Sequence, residues 1–322
     1  MKKRIFGNTE MEVTEICLGA ANYGSSIKEE EAIRQLNCYV ENGGNFIDTA
    51  RVYGDWIPGT KGLSEKILGS WLKSEGNRTQ IILTSKGAHP LIESMEVSRV
   101  GIAELEQDLH ESLEHLCTDY LDIYFLHRDN ESVSVGELLE WLEAQKKKGY
   151  IRYYGCSNWP VRRMEEADAY AQEKGLTGFV SNQMLASLAD VNPKWYIPAQ
   201  MVAMTKEFDN YHEKTKKNLM AYTSINNGYF AKCFKEELLP EAIQSRYEGE
   251  ANQKIYQKLC TVCSTEKEVM AYCYQHILKK PYSAIPITAF RVKEQLEECL
   301  EALKEEVDEA VVCQLAGMKE QR

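Results

Sequence analysis

No stretch of the 322-residue chain approaches the roughly 20 consecutive apolar residues that span a bilayer, so no membrane-crossing helix is expected. Basic residues are also short: 38 Lys and Arg stand against 49 Asp and Glu, a net charge of −11. That balance lacks the electrostatic footprint of a nucleic-acid binder, and the acidity serves solubility. The start, Met1-Lys2-Lys3-Arg4, is basic. Asn8, Thr9, Glu10 and Glu12 follow before any long apolar region, so no export signal is expected. The ten cysteines form no small-domain framework, and Cys260-Thr261-Val262-Cys263 has no second pair to complete a metal site. They read as reduced thiols of a cytoplasmic protein. His110 and His115 are five positions apart, about 140° round a helix, and cannot share a metal on one face. No metal is expected. No repeat or low-complexity segment stands out, and no Gly-x-Gly-x-x-Gly follows a predicted strand, which argues against a doubly wound dinucleotide fold.

What is present is alternation. Lys3–Phe6 and Met11–Val13, around Gly7-Asn8, predict a small hairpin (residues 1–13). Eight strand–helix units follow. The predicted strands are Ile16–Gly19, Phe46–Asp48, Ile81–Leu83, Leu121–Leu126, Ile151–Cys156, Phe179–Ser181, Leu219–Tyr222 and Tyr282–Ile285. The stretch between the sixth and seventh reads as a loop over Met184–Pro198 and then a polar helix over Ala199–Lys217. Helical spacing is clear in the third helix, where Ile102, Leu105, Leu109, Leu113 and Leu116 share a face. Eight such units close a (β/α)8 TIM barrel, an α/β fold of one domain spanning 1–322. About sixty residues separate the seventh and eighth strands, and Ala251–Ser264 within them looks helical. An insertion over about 228–266 is expected there, placed to act as a lid on the barrel mouth.

Three strand ends carry polar residues straight after apolar runs: Asp48 with the following Tyr53, Lys86, and His127. At a barrel's C-terminal rim such residues share one mouth. A tyrosine holds its proton at neutral pH and can give it to an alkoxide forming on a carbonyl oxygen. Lys86 is expected to lower the Tyr53 pKa, Asp48 to keep Lys86 charged, and His127 to hydrogen-bond the substrate oxygen as a neutral donor. These groups supply no electrons, so the chemistry requires a hydride carrier. Taken singly, each is as ordinary as a cap or a surface charge. Four suitable residues on three successive strand ends are not.

Asp48, Tyr53, Lys86 and His127, in that order, resemble the catalytic tetrad of the aldo-keto reductases. The resemblance runs over nearly the whole chain. Gly62-Leu63-Ser64-Glu65-Lys66-Ile67-Leu68-Gly69 is similar to the family's second-helix entry. Asp119-Tyr120-Leu121-Asp122-Ile123-Tyr124-Phe125-Leu126-His127-Arg128 is similar to its fourth-strand signature, and Gly155-Cys156-Ser157-Asn158 to the end of its fifth strand. The resemblance implies that NADPH passes a hydride to an aldehyde or ketone, with Tyr53 as general acid. It implies that Ser157, Asn158 and Gln183 hold the nicotinamide amide and that Tyr222 stacks under the ring. It also places Gly19 and Ser224 among the cofactor contacts.

The chain departs from the family pattern after the seventh strand, where it reads Thr223-Ser224-Ile225-Asn226-Asn227-Gly228. It departs again after Pro286, where Ile287-Thr288-Ala289-Phe290-Arg291 follows. Arg291 is the candidate for gripping a 2′-phosphate, since a guanidinium fork suits phosphate oxygens, and Gln295 and Glu298 would face the adenosine. Trp56, Arg128 and Trp159, with Trp195-Tyr196, are the expected substrate walls, and Phe230 is assigned to the lid. Arg128 would favour an anionic or polyhydroxylated substrate. The partner is a small carbonyl compound, and the oligomeric state is open. A reductase-fold regulatory subunit that binds cofactor with little turnover is the alternative, and a barrel isomerase or hydrolase without redox carrier a third.

Overall fold

A computed structural model describes residues 1–319. Two short strands, β1 (Lys3–Ile5) and β2 (Glu12–Thr14), pair antiparallel as the hairpin. Eight parallel strands then close a barrel in sequence order: β3 (Cys17–Gly19), β4 (Phe46–Asp48), β5 (Ile82–Gly87), β6 (Leu121–Leu126), β7 (Ile151–Ser157), β8 (Ser181–Leu185), β9 (Asn218–Tyr222) and β10 (Ala284–Thr288). The helices between them are α1 (Glu29–Glu41), α2 (Leu63–Glu75), α3 (Ile102–His115), α4 (Val135–Lys148), α5 (Val161–Lys174), the single turn α6 (Pro193–Tyr196) and α7 (Lys206–Thr215). After β9 come α8 (Tyr229–Phe234), α9 (Glu241–Tyr247), α10 (Glu250–Val262) and α11 (Glu266–Leu278). After β10 come α12 (Lys293–Ala302) and α13 (Glu309–Gly317).

Side-chain parity divides the core. Residues two apart on a strand share a face. Cys17, Phe46, Ile123, Phe125, Val180, Met220 and Ile285 pack together inside the barrel. Leu18, Ile47, Leu83, Tyr124 and Leu219 point outward into the layer under the helices. The interior is tight: a Cβ on Gly155 would lie 2.5 Å from the Phe125 ring. The hairpin closes the N-terminal end. Phe6, Met11 and Val13 join the interior cluster, the Ser283 hydroxyl donates to the Ile5 carbonyl, and the Thr14 amide donates to Asn45 Oδ1 just ahead of β4. A Cβ on Gly7, which has φ +56, would come 2.8 Å from the Asn218 nitrogen at the start of β9.

Several boundaries differ from expectation. The third strand runs four residues further than its apolar stretch, because pairing with β6 continues through Lys86 and Gly87. The sixth begins at Ser181, where predicted pairing was ending, and carries Gln183. The polar helix over Ala199–Lys217 is shorter. Residues 201–204 are instead drawn to the barrel edge, where Leu185 and Val202 and then Met204 and Leu185 exchange backbone bonds, and helix begins only at Lys206. The eighth strand is shifted to Ala284–Thr288. Between β9 and α11, helices α8–α10 form the insertion with a core of their own, in which Phe230, Tyr247, Ile255 and Leu259 pack against α11 and α13. No helix among the described residues is long and apolar enough to cross a membrane, and none of the ten cysteines forms a disulfide.

Candidate active site

The same parity that fills the interior sets the residues above it. On β4, Phe46 points in, so Asp48 does too. On β5, Ile82, Thr84 and Lys86 alternate inward. On β7, β8 and β9 the inward positions at the C-terminal end are Ser157, Gln183 and Tyr222. Above them opens a cavity of about 710 Å³. That lies within the usual range for small-molecule sites, about 300–1,000 Å³.

Lys86 is fully buried just beneath the residues that line the cavity floor, and its ammonium donates to Asp48 Oδ2 (2.7 Å), the Thr49 carbonyl (2.7 Å) and the Tyr53 hydroxyl (3.1 Å). An ammonium has three donors and no acceptor, so all three are used. Asp48 is equally saturated: Thr84 Oγ1 (2.6 Å) and Gln183 Nε2 (2.9 Å) donate to its other oxygen. Burial pulls the Lys86 pKa down, but Asp48 and Tyr53 outweigh it and leave it above the ordinary lysine value. Because Lys86 can only donate, the Tyr53 oxygen accepts from it. The phenol's own proton is left for another acceptor on the cavity side.

The Tyr53 pKa moves opposite to the expected direction. Burial raises it more than Lys86 lowers it, and Asp48 adds to the rise. A neighbouring cation was readable in the sequence, but the depth of burial was not. The loop carrying Tyr53 is pinned by Arg51, which is buried and pairs with Asp55 and with Glu111 (2.6 Å). Asp55 in turn accepts from the Gly62 amide (2.7 Å).

His127 follows β6, with its backbone amide bonded to the Gly87 carbonyl and its ring edge-on to Tyr53 at 5.8 Å between centroids. Its Nδ1 is buried without a partner among the described residues. Burial first, then His89, Arg128 and Lys86, hold its pKa well below the usual histidine value, so the ring is neutral. His89, which the sequence reading missed, lies against His127 with ring centroids 4.7 Å apart and planes tilted by 60°. The available signal was its position three residues after Lys86 on the same strand end. Thr84 was missed as well, although it sits two residues before Lys86 on the same face.

Gly19, Asp48, Tyr53, His127, Arg128, Ser157, Asn158, Gln183, Tyr222, Ser224, Arg291, Gln295 and Glu298 all line the cavity. Ser157 Oγ donates to the Gln183 carbonyl, and Asn158 Nδ2 donates to Ser157 Oγ. Asn158 Oδ1 accepts from Tyr222 (2.6 Å) and the Val202 amide. Asn158 has φ +61, a conformation that Asn tolerates better than most residues. Gln183 Oε1 and the second Asn158 amide hydrogen take no part in these bonds, which is the donor–acceptor complement of a carboxamide. Ser224 ties the ends of β9 and β10 together through the Ile287 carbonyl (2.9 Å). At the far end Arg291 is exposed and forms no ion pair among the described residues, and its backbone nitrogen donates to Gln295 Oε1. The amide shelf and the free guanidinium fit a nicotinamide dinucleotide.

Two expected walls lie elsewhere. Trp159 is completely buried, edge-on to Phe179 and under the Arg163 guanidinium, so it packs the barrel's flank and lines no part of the cavity. Trp56 is 40% exposed beside Tyr53 and also lies outside the cavity lining. Trp195 stacks under Arg246 of α9, Tyr196 lines a separate cavity, and Phe230 belongs to the insertion's core. Arg246 itself was not anticipated. It lines the main cavity and donates to Asn227 Oδ1, linking the insertion to the loop after β9. Among the described residues no cluster of three His, Cys, Asp or Glu side chains is arranged to hold a metal.

These features define a closed (β/α)8 barrel with a buried Asp–Lys–Tyr chain at the C-terminal mouth. The model of the Aldo/keto reductase family matches residues 15–320, and the chain belongs to that family. It is 25% identical over 320 residues to the uncharacterized oxidoreductase YrpG of Bacillus subtilis, covering 97% of this chain and 94% of that one. It is likewise 25% identical to the protein tas of Escherichia coli, covering 97% and 95%. Among solved structures, aldo-keto reductase AKR11C1 from Bacillus halodurans in its holo form superposes with a TM-score of 0.75 at 23% identity, over 100% of this chain and 97% of that chain. The thermostable aldo-keto reductase Tm1743, solved with the inhibitor epalrestat, gives 0.71 at 23% over 99% and 100%. Membership supports an oxidoreductase activity.

Proposed function

We propose that the protein is an NADPH-dependent reductase of aldehydes or ketones in which Tyr53 is the general acid. The observation that carries this reading is the three-way donation of Lys86, which turns the Tyr53 oxygen into an acceptor and leaves its proton toward the cavity. Bound reduced nicotinamide would supply the hydride to the carbonyl carbon. Tyr53 delivers its proton to the carbonyl oxygen, completing the alcohol, and the phenolate left behind is stabilised by the ammonium 3.1 Å away until solvent reprotonates it. Asp48 keeps that ammonium charged. Neutral His127 offers an N–H to the same oxygen and limits the angles from which it can approach. Ser157, Asn158 and Gln183 would hold the carboxamide, Tyr222 the ring face, Gly19 and Ser224 the adjoining backbone, and Arg291, Gln295 and Glu298 the adenosine end.

The raised Tyr53 pKa favours reduction at neutral pH, since the acid stays loaded. The whole of 1–322 is assigned to one reductase domain. The segment over 228–266, from which Lys232, Ile243 and Arg246 line the cavity, is assigned as its cover. The ten free thiols support a cytoplasmic location. The test is Tyr53→Phe beside wild type, assayed with NADPH and with NADH against an aldehyde panel. Retained turnover in the variant removes Tyr53 from the acid role. Tight cofactor binding by wild type without any turnover favours the regulatory-subunit alternative.

A further inference from the structure

Arg128 lines the cavity, and the mechanism above leaves its guanidinium unused. Its guanidinium is partly buried, with Nη1 donating to the His127 carbonyl (2.9 Å) and Nη2 meeting His89 Nε2 (3.3 Å). A guanidinium only donates, so His89 Nε2 must be the acceptor and the proton of that ring sits on Nδ1, which reaches the Pro90 carbonyl at 2.8 Å. The histidine holding the arginine is therefore neutral. Consistently, burial and then the Arg128 charge push the His89 pKa down to about 4.

No carboxylate among the described residues pairs with Arg128. Its charge acts on the phenols of Tyr222 and Tyr53 and on the rings of His89 and His127, none of which is a carboxylate, and burial pulls its own pKa below the ordinary arginine value. The nearby Asp48 charge is already neutralised by Lys86. A chain with a net charge of −11 thus places an uncompensated cation next to the proton donor. Two of the five guanidinium N–H donors are used within the protein, and three remain. A desolvated cation without a counter-ion is costly unless the ligand provides one.

We propose that the carbonyl substrate bears a carboxylate, and that Arg128, oriented by neutral His89, pairs with it and aligns the carbonyl on Tyr53. The proposal rests on the reductase reading above and names the substrate class of that site.

The discriminating pair is 4-carboxybenzaldehyde and its methyl ester, which differ in the negative charge. Wild type should prefer the acid in kcat/KM. In Arg128→Gln that preference should fall by about 10- to 100-fold, the cost of losing hydrogen bonds to a charged group, and the loss should lie mainly in KM. Arg128→Lys, which keeps the charge without the fork, should retain part of the preference. A readout without turnover separates this inference from the reductase reading: titration of the protein–NADP⁺ complex with 4-(hydroxymethyl)benzoate, followed by tryptophan fluorescence. Binding that weakens in Arg128→Gln supports the proposal even if no aldehyde is reduced. A wild type indifferent to acid and ester that also fails to bind the benzoate overturns it. So does an Arg128→Gln variant that keeps wild-type acid preference or loses both substrates equally.

Discussion

The floor of the cavity and its outer end are built on different principles. At the floor, Asp48, Thr84, Lys86, Tyr53 and Gln183 form a continuous hydrogen-bonded chain in which the carboxylate and the ammonium have their partners within 3.1 Å. At the outer end, Arg291, Gln295 and Glu298 are exposed on the first turns around α12, and the guanidinium is unpaired among the described residues. The first arrangement is complete within the protein. The second leaves its guanidinium without an ion-pair partner among the described residues. The floor should therefore respond to substitution in chemistry and stability together, and the outer end in affinity alone.

The sharpest way to break this contrast is Tyr53→Phe. Loss of the acid should lower kcat/KM by about a thousandfold, while NADPH binding, read by fluorescence quenching, stays within about twofold. A variant that loses cofactor affinity as well would show that the floor is not independent of the ligand. Lys86→Met should come next. It leaves Asp48 buried with its charge uncompensated and should cost about 3–5 kcal/mol in chemical denaturation, with activity lost in parallel. The double variant Asp48→Asn, Lys86→Met should recover part of that stability without recovering turnover. If the single variant melts like wild type, the ion pair is not holding the floor.

Arg291→Ala addresses the other end. It should reduce the preference for NADPH over NADH by about 10- to 100-fold in KM, with the melting temperature essentially unmoved. An unchanged cofactor preference would remove Arg291 from the phosphate role. The mildest test uses acid. Burial holds His89 and His212 neutral, with pKa values pushed down to about 4, and also holds His127 and His276 well below the ordinary value. Their contribution to stability is whole above the unfolded histidine value of roughly 6.5 and is lost as pH falls toward 4. The melting temperature should accordingly decline across that window. A flat profile would mean that the rings are open to solvent.

How much of this was legible in the sequence depends on the range of the cause. The barrel came from strand–helix alternation, which is local, and Asp48, Lys86 and His127 from polar residues straight after apolar runs, whereas Gln183 and Tyr222 came only from the family resemblance. The hairpin was visible as two short strands around Gly7-Asn8. Trp159 was misplaced because a large aromatic after a strand end reads the same whether it turns into the mouth or, as here, under Arg163 on the barrel's flank. The Tyr53 pKa was misjudged because a charged neighbour can be named from sequence, whereas solvent exclusion depends on everything packed around it. The shortened helix before β9 failed for a related reason. Its first residues are captured by the Leu185 backbone and by Asn158 Oδ1, partners outside the segment that its own helical pattern does not reveal.

The hairpin at the opposite end of the barrel has an influence on acid–base chemistry that its distance conceals. By stopping the lower opening with Phe6, Met11 and Val13, it packs the barrel interior beneath the Asp48–Lys86 pair with apolar side chains. A few residues at the beginning of the chain thereby act as electrical insulation for the buried phenol of Tyr53 on the far rim, and a leak there would be felt as a weaker grip of Tyr53 on its proton.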